Sequence, residues 1–123
     1  PLLVAQALAP LLEAQRESEP GKALPVYAFL TSKVGSVEDN GSGGAYAYRA
    51  SKSALNIVAK SFSVDMADAT RVVLLHPGFV RTDMTDGKGL IDAEESVSGM
   101  IKAIESTGPD FRWVDFKAEV VPF

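Results

Sequence analysis

Hydrophobic and polar positions along the chain follow two alternating rhythms. Val4, Leu8, Leu11 and Leu12, with Gln15, share one side at spacings of three and four, which predicts a helix over residues 2–17, kinked at Pro10. Glu17 to Lys22 is polar and holds Pro20 and Gly21, so a surface turn follows. Leu24 to Leu30 is a short apolar run rich in β-branched and aromatic residues, and it stops at Thr31-Ser32; this predicts a buried strand. Residues 33–44 keep no hydrophobic period among Gly35, Asn40, Gly41, Gly43 and Gly44, and read as loop.

A second helix is predicted from Tyr46 to Asp65. Leu55, Ala59, Phe62 and Met66 form its apolar stripe, and Ala47, Ala50, Ser51 and Ala54 form a face of small residues. Arg71 to Leu75 is a second buried strand, ended by His76-Pro77-Gly78, and residues 79–91 are loop. Asp92, followed three residues later by Glu95, has the form of a capping box that opens a third helix. Val97, Met100, Ile101 and Ile104 are expected to supply its buried face, and Gly108-Pro109 ends it. Phe111 to Phe116 reads as a third strand with a short tail behind it.

Helix and strand alternate three times. Helix-length crossovers require parallel strands, and parallel strands require cover on both faces, so the predicted class is α/β with a doubly wound parallel sheet. Such a fold has about six strands in two halves. Three strands therefore suggest one half of a sheet, and a chain that starts at Pro1 and enters a helix at once reads as one lacking its first part. Residues 1–123 are taken as a single partial domain.

Composition narrows the function. Hydrophobic residues at 46% and charged residues at 23% fit a packed globule and not a disordered chain. Twelve Lys and Arg against sixteen Asp and Glu give a net charge of −4 without any basic run, so a nucleic-acid-binding role has no electrostatic footprint. The lack of cysteine excludes disulfides, thiolate metal sites and a cysteine nucleophile, and His76 as the only histidine excludes paired-histidine sites. The most apolar stretch, Pro1 to Leu12, is broken by Gln6 and Pro10 and is shorter than the roughly 20 residues of a membrane span. It also lacks the basic leader of a signal peptide, so a cytoplasmic location without membrane contact is the expectation.

The sharpest local signal is Tyr48-Arg49-Ala50-Ser51-Lys52, since residues four apart on a helix share a face. Tyrosine in water has a pKa of about 10, but a neighbouring ammonium favours the phenolate, and the pair then suits proton transfer near neutrality. Two fixed residues recur by chance, and taken alone the pair is better read as a packed tyrosine and a solvated lysine. Its surroundings change that weighting. The first strand ends at Ser32 and the second at Pro77-Gly78-Phe79-Val80-Arg81-Thr82, and ligands of open α/β sheets bind at the carboxyl ends of strands.

Ser32, the Tyr48/Lys52 pair, the helix text Tyr-Arg-Ala-Ser-Lys-Ser-Ala-Leu-Asn and the loop Pro-Gly-Phe-Val-Arg-Thr together resemble the short-chain dehydrogenases/reductases, most nearly their carbonyl-reductase-like branch. The resemblance runs from Pro1 to Phe123 and implies the C-terminal half of a Rossmann-like fold that reduces aldehydes or ketones with NADP or NAD. By that resemblance Tyr48 is the general acid. Lys52 assists it and holds the nicotinamide ribose, and Ser32 hydrogen-bonds the substrate oxygen. Pro77, Gly78, Val80 and Thr82 hold the nicotinamide, Val80 through its backbone and Thr82 through its hydroxyl. Phe79 and Met84 are the expected apolar walls of the substrate site, and helices 2–17 and 46–66 are those the family uses for homodimer packing.

The chain departs from the family pattern in two places. Sixteen positions separate Ser32 from Tyr48 (48 − 32), which implies an insertion around Asn40 to Gly44 and leaves Ser36 as the alternative serine. The family's glycine-rich phosphate turn, first strand and catalytic asparagine belong upstream of Pro1. A second reading is therefore kept: a truncated, non-catalytic remnant acting as an interaction or dimerisation module. Half a sheet leaves an open edge and an uncovered apolar face, and no glycine-rich turn leads into a helix N-terminus for a pyrophosphate.

Other residues have plainer readings. Gly41-Ser42-Gly43-Gly44 is a flexible loop, because no strand leads into it. His76 is structural. Asp83, Asp86, Asp92, Glu94 and Glu95 cap a helix and solvate a loop, with no calcium-loop spacing and no metal expected. Trp113 and Phe116 are core or C-terminal packing.

Overall fold

The computed structural model describes all 123 residues. In chain order they form helix α1 (Leu2–Ser18), strand β1 (Val26–Leu30), a 3₁₀ turn at Lys33–Gly35, helix α2 (Tyr46–Asp65) and strand β2 (Arg71–His76). A 3₁₀ turn at Asp83–Thr85, helix α3 (Ala93–Ser106) and strand β3 (Arg112–Asp115) complete the chain. The predicted alternation holds, with strand ends moved by one or two residues. The three strands form one parallel sheet in the order β1-β2-β3. Val26 to Leu30 pair with Arg71 to Leu75, and Val73 to His76 pair with Arg112 to Asp115. This is an α/β arrangement of the doubly wound, Rossmann-like kind.

Each face of the sheet carries its own core. On one, Phe29, Val72, Leu74 and Trp113 are buried with Ala59, Phe62 and Met66 of α2 and Ala5 of α1. The Tyr27, Phe29 and Phe62 rings interlock with centroids 4.7, 5.4 and 5.9 Å apart, in the tilted and edge-on arrangements that aromatic quadrupoles favour. On the other face, Val73, Leu75 and Val114 pack with Ala103 of α3. β1 is an edge strand, and this second face is bare along it: Ala28 is exposed and Leu30 is 55% exposed. No helix is long and apolar enough to cross a membrane.

Two buried faces differ from the sequence expectation. α1 turns Ala5, Ala9 and Leu12 to the core and leaves Val4, Leu8 and Leu11 exposed, so Leu12 is the one member of the predicted apolar stripe that packs inward. α3 buries Ser96 and Ala103 and half-buries Met100 and Ile104, while Val97 and Ile101 stay about half exposed. Close approach explains the shift in α3. The Ser96 hydroxyl donates to the Pro77 carbonyl at 2.7 Å, and Gly99 lies so near the Phe116 carbonyl that a Cβ there would stand 2.2 Å away. Asp92 caps α3 as expected, its Oδ1 accepting from the Glu95 N–H at 2.8 Å.

The apolar stripe of α2 packs as predicted, with one polar interruption. The Thr31 hydroxyl at the end of β1 donates to Asn56 Oδ1 of α2 at 2.7 Å, and both residues are buried. Removing one partner leaves the other desolvated and unsatisfied, at a cost of about 1–3 kcal/mol. Thr31→Val is therefore expected to lower the unfolding free energy from urea titration by that amount, with a lower midpoint, and Thr31→Val combined with Asn56→Leu to regain part of it. An unchanged midpoint for Thr31→Val would show that the bond carries no weight.

Candidate active site

Parallel pairing brings the ends of β1 and β2 to one edge. The Thr31 N–H donates to the Leu75 carbonyl at 2.9 Å, so Ser32 and Pro77 leave the sheet side by side. Tyr48 and Lys52 lie in the first two turns of α2, which starts beside that edge. The Lys52 ammonium stands over the Tyr48 ring, 5.6 Å from its centroid. Tyr48 is 39% exposed and Lys52 half-buried, so the phenol is open to a ligand and the cation is held against it.

The two candidate serines differ in access. Ser36 is 3% exposed and its oxygen accepts from the Asp39 N–H at 2.9 Å, inside the turn that follows the 3₁₀ segment. Ser32 caps that segment from its other end, is only half-buried, and accepts from the Val34 N–H at a long 3.4 Å. Ser32 is the hydroxyl a ligand at this edge can reach.

Gly35 sets how closely this segment meets α2. A Cβ on Gly35 would stand 2.7 Å from Lys52 Cβ and 2.9 Å from its carbonyl carbon, so only glycine allows the approach. The Ser53 hydroxyl donates to the Gly35 carbonyl at 2.7 Å and secures it. Sequence reasoning missed Arg49, Ser53 and Asn56, although their spacing (49, 53, 56) marks one helical face beside that of Tyr48 and Lys52.

Behind β2, Gly78 has φ +86°, and a Cβ on it would meet Ile91 Cδ1 at 2.7 Å and the Phe116 ring at 2.9 Å. The segment from Phe79 to Ile91 is ordered by its own backbone: Arg81 N–H donates to the Ile91 carbonyl at 2.8 Å and Leu90 N–H to the Phe79 carbonyl at 2.7 Å. The Val80 N–H has no partner within the chain, and the Thr82 side chain is exposed. Phe79 and Met84 are 51% and 79% exposed, so this chain alone presents them as projecting side chains and not as walls of a closed pocket. A concavity of about 540 Å³ lies elsewhere, between α2 and the C-terminal segment, lined by Ile57, Lys60, Phe111 and Phe123 among others. Neither Ser32, Tyr48 nor Lys52 touches it, and it carries no part of this site.

The chemistry of the donors fits the reactive end of a nicotinamide nucleotide: Val80 offers an amide N–H without a partner in the chain, Thr82 an exposed hydroxyl and Lys52 a cation. Gly41-Ser42-Gly43-Gly44 is no phosphate cradle. Its Gly43 and Gly44 carbonyls face the Arg49 guanidinium, and the Gly43 N–H is taken by Asn40 Oδ1 at 3.0 Å.

His76 ends β2 opposite Asp115 and is half-buried, its Nδ1 enclosed without a hydrogen-bond partner. Burial lowers its pKa below the usual 6.5; Asp115 opposes the shift, Lys33 adds to it and Asp39 opposes it. The folded chain thus binds this proton less readily than the unfolded chain, so stability is complete above the unfolded pKa and declines as pH falls below it. The thermal midpoint is expected to fall between about pH 7.5 and 5.5, and His76→Gln to flatten that decline. Parallel profiles for parent and variant would remove His76 as the cause.

No family model matches the chain. It is 43% identical over 104 residues to the C-signal protein of Myxococcus xanthus, covering 82% of this chain and 63% of that one. The carbonyl reductase Sniffer of D. melanogaster superposes with a TM-score of 0.88 at 34% identity, covering 99% of this chain and 52% of the other. The NADPH-bound carbonyl reductase from chicken fatty liver gives 0.82 at 32% identity, again covering 99% and 52%. The chain thus spans about half the length of the solved relatives. Its fold is the doubly wound, Rossmann-like α/β arrangement of these neighbours. More narrowly, its relatives are carbonyl reductases of the short-chain dehydrogenase/reductase family, to part of whose length it is similar.

Proposed function

We propose that residues 1–123 are the catalytic part of a single-domain, NADP- or NAD-dependent reductase acting on aldehyde or ketone carbonyls. The observation that carries this is the meeting of Ser32, Tyr48, Lys52 and the Pro77–Thr82 segment at one carboxyl edge, with the Lys52 ammonium over the Tyr48 ring. The kinship with carbonyl reductases, one of them holding NADPH, supports the substrate class and the cofactor.

Each residue has a distinct task in this reading. The bound nicotinamide supplies a hydride to the carbonyl carbon. The Ser32 hydroxyl donates a hydrogen bond to the carbonyl oxygen and opposes the negative charge that develops there. Tyr48 delivers its phenolic proton to that oxygen, giving the alcohol, and Lys52 stabilises the phenolate left behind. Lys52 also reaches the ribose hydroxyls, while the Val80 N–H and Thr82 hydroxyl orient the nicotinamide, with Pro77 and Gly78 shaping the turn that presents them. Phe79 and Met84 offer apolar contact to the substrate.

The direct test is Tyr48→Phe in the full-length protein that carries this chain. Turnover of an aromatic aldehyde is expected to fall by at least about 100-fold, the scale of general acid catalysis, while fluorescence titration still shows NADPH binding. Retained turnover would end the assignment.

The bare surfaces favour a second reading, an association module without catalysis. α1 exposes Leu3, Val4, Leu8 and Leu11, and α2 exposes the small residues Ala47, Ala50, Ser51 and Ala54, surfaces suited to packing against a second copy. On that reading the 123-residue chain by itself binds no NADPH at micromolar concentration and sediments as a dimer. Micromolar binding, or a monomer throughout, would count against it.

A further inference from the structure

We propose that Arg49 is a positioning residue for the Ser32 hydroxyl: its guanidinium gathers the connection between Ser32 and Tyr48 and fixes the distance between its two ends. The inference rests on the roles given to Ser32 and Tyr48 above, and goes beyond them by naming what holds the two in place.

The connection is long and has little to order it. Sixteen positions separate the two residues (48 − 32), four of them glycine, and no hydrophobic side chain in the stretch belongs to either core. Arg49 closes it from both ends. Its Nη1 donates to the Val34 carbonyl at 3.0 Å, two residues beyond Ser32. Its Nε donates to the Gly43 and Gly44 carbonyls at 3.2 and 3.1 Å, and its Nη2 to the Ser42 hydroxyl at 2.9 Å and again to Gly43 at 3.0 Å. The acceptors are all neutral, and no carboxylate pairs with Arg49. A planar fork with five donors can satisfy such a set; a lysine ammonium cannot.

The other end of the connection needs this hold. α2 begins without a side-chain cap, and the residue before it, Ala45, sits at φ 45°, a left-handed conformation that strains a residue with a Cβ. Tyr48 is therefore carried on an uncapped helix end that would otherwise fray. The strained turn, the glycine carbonyls and the Val34 carbonyl all converge on the side chain next to Tyr48 in sequence. Ser53 and Asn56 secure Gly35 and Thr31 on the same helical face. Loss of Arg49 thus loosens the middle of the connection without detaching the strand from the helix.

The test compares Arg49→Ala, Arg49→Lys and the parent in the full-length protein. Misplacement of a reacting group by about 1 Å costs on the order of 100-fold, so kcat is expected to fall by about that factor in both variants with KM for NADPH little changed. Millimolar guanidinium should restore part of the kcat of Arg49→Ala, and ethylammonium should not. Amide exchange over Val34–Gly44 should quicken while that of residues 56–66 stays as in the parent. The proposal is overturned by kcat within about threefold of the parent, by unchanged exchange in the loop, or by a loss of kcat that guanidinium fails to restore and that accompanies faster exchange throughout α2. Tyr48→Phe and Ser32→Ala, run in parallel, separate the two levels. If those variants keep turnover, the catalytic reading has failed, while the exchange data still report whether Arg49 orders the connection.

Discussion

A single buried hydrogen bond, from the Thr31 hydroxyl to the Asn56 carboxamide, couples the strand that ends in Ser32 to the helix that begins at Tyr46. An α-helix is rigid over its length, and Tyr48 lies eight residues from Asn56 (56 − 48), about 12 Å along the axis. Fixing Asn56 against the end of β1 therefore fixes how far Tyr48 and Lys52 stand from Ser32. The bond lies between two buried groups, so sliding the helix by half a turn would leave a desolvated hydroxyl and a desolvated amide without partners. Gly35 supplies the complementary limit. With hydrogen in place of a side chain it lets the backbone after Ser32 settle directly onto Lys52 and Ser53. One polar bond and one missing methyl group set how the strand end and the helix lie together, and the Arg49 contacts order the connection between them.

Most of the fold was legible because parallel strands covered on both faces are written as continuous apolar runs, as in Val26 to Leu30 and Arg71 to Leu75. The edge site was legible for a related reason. Residues at the ends of such runs must emerge at the same side of the sheet, which is why Ser32 and Pro77-Gly78 are expected at one edge, whereas Tyr48 and Lys52 are picked out by helical spacing and by the family resemblance. The buried faces of α1 and α3 were not legible, and the cause is specific. Both helices are apolar on two adjoining stripes, and the stripe that touches the sheet is the one with small residues, Ala5 and Ala9 in α1 and Ser96, Gly99 and Ala103 in α3. Hydrophobic period favours the bulkier stripe; close packing against backbone favours the smaller one.

The loop over 33–44 escaped for a different reason. Its order comes from carbonyls turned toward one guanidinium, and a carbonyl leaves no trace in the sequence. The only readable hint was an arginine beside the site tyrosine, which hydrophobic period and charge count both overlook.

The two cations at the start of α2 show how one helix end serves two needs. Lys52 is a compact charge on a flexible stem, and it lies over the Tyr48 ring with its ammonium free to meet an incoming oxygen. Arg49 points to the neighbouring face, where four of its five N–H donors are spent on neutral acceptors of the loop. Exchange of the two residue types would fail at both places. A guanidinium at position 52 would replace the compact charge over the Tyr48 ring with a broad planar group, and an ammonium at position 49 would leave several glycine-loop carbonyls without a donor. On the proposed reading, the order Tyr-Arg-x-x-Lys is a division of labour between adjacent helical faces: one cation holds the backbone still so that the other can act on a phenol at a fixed place.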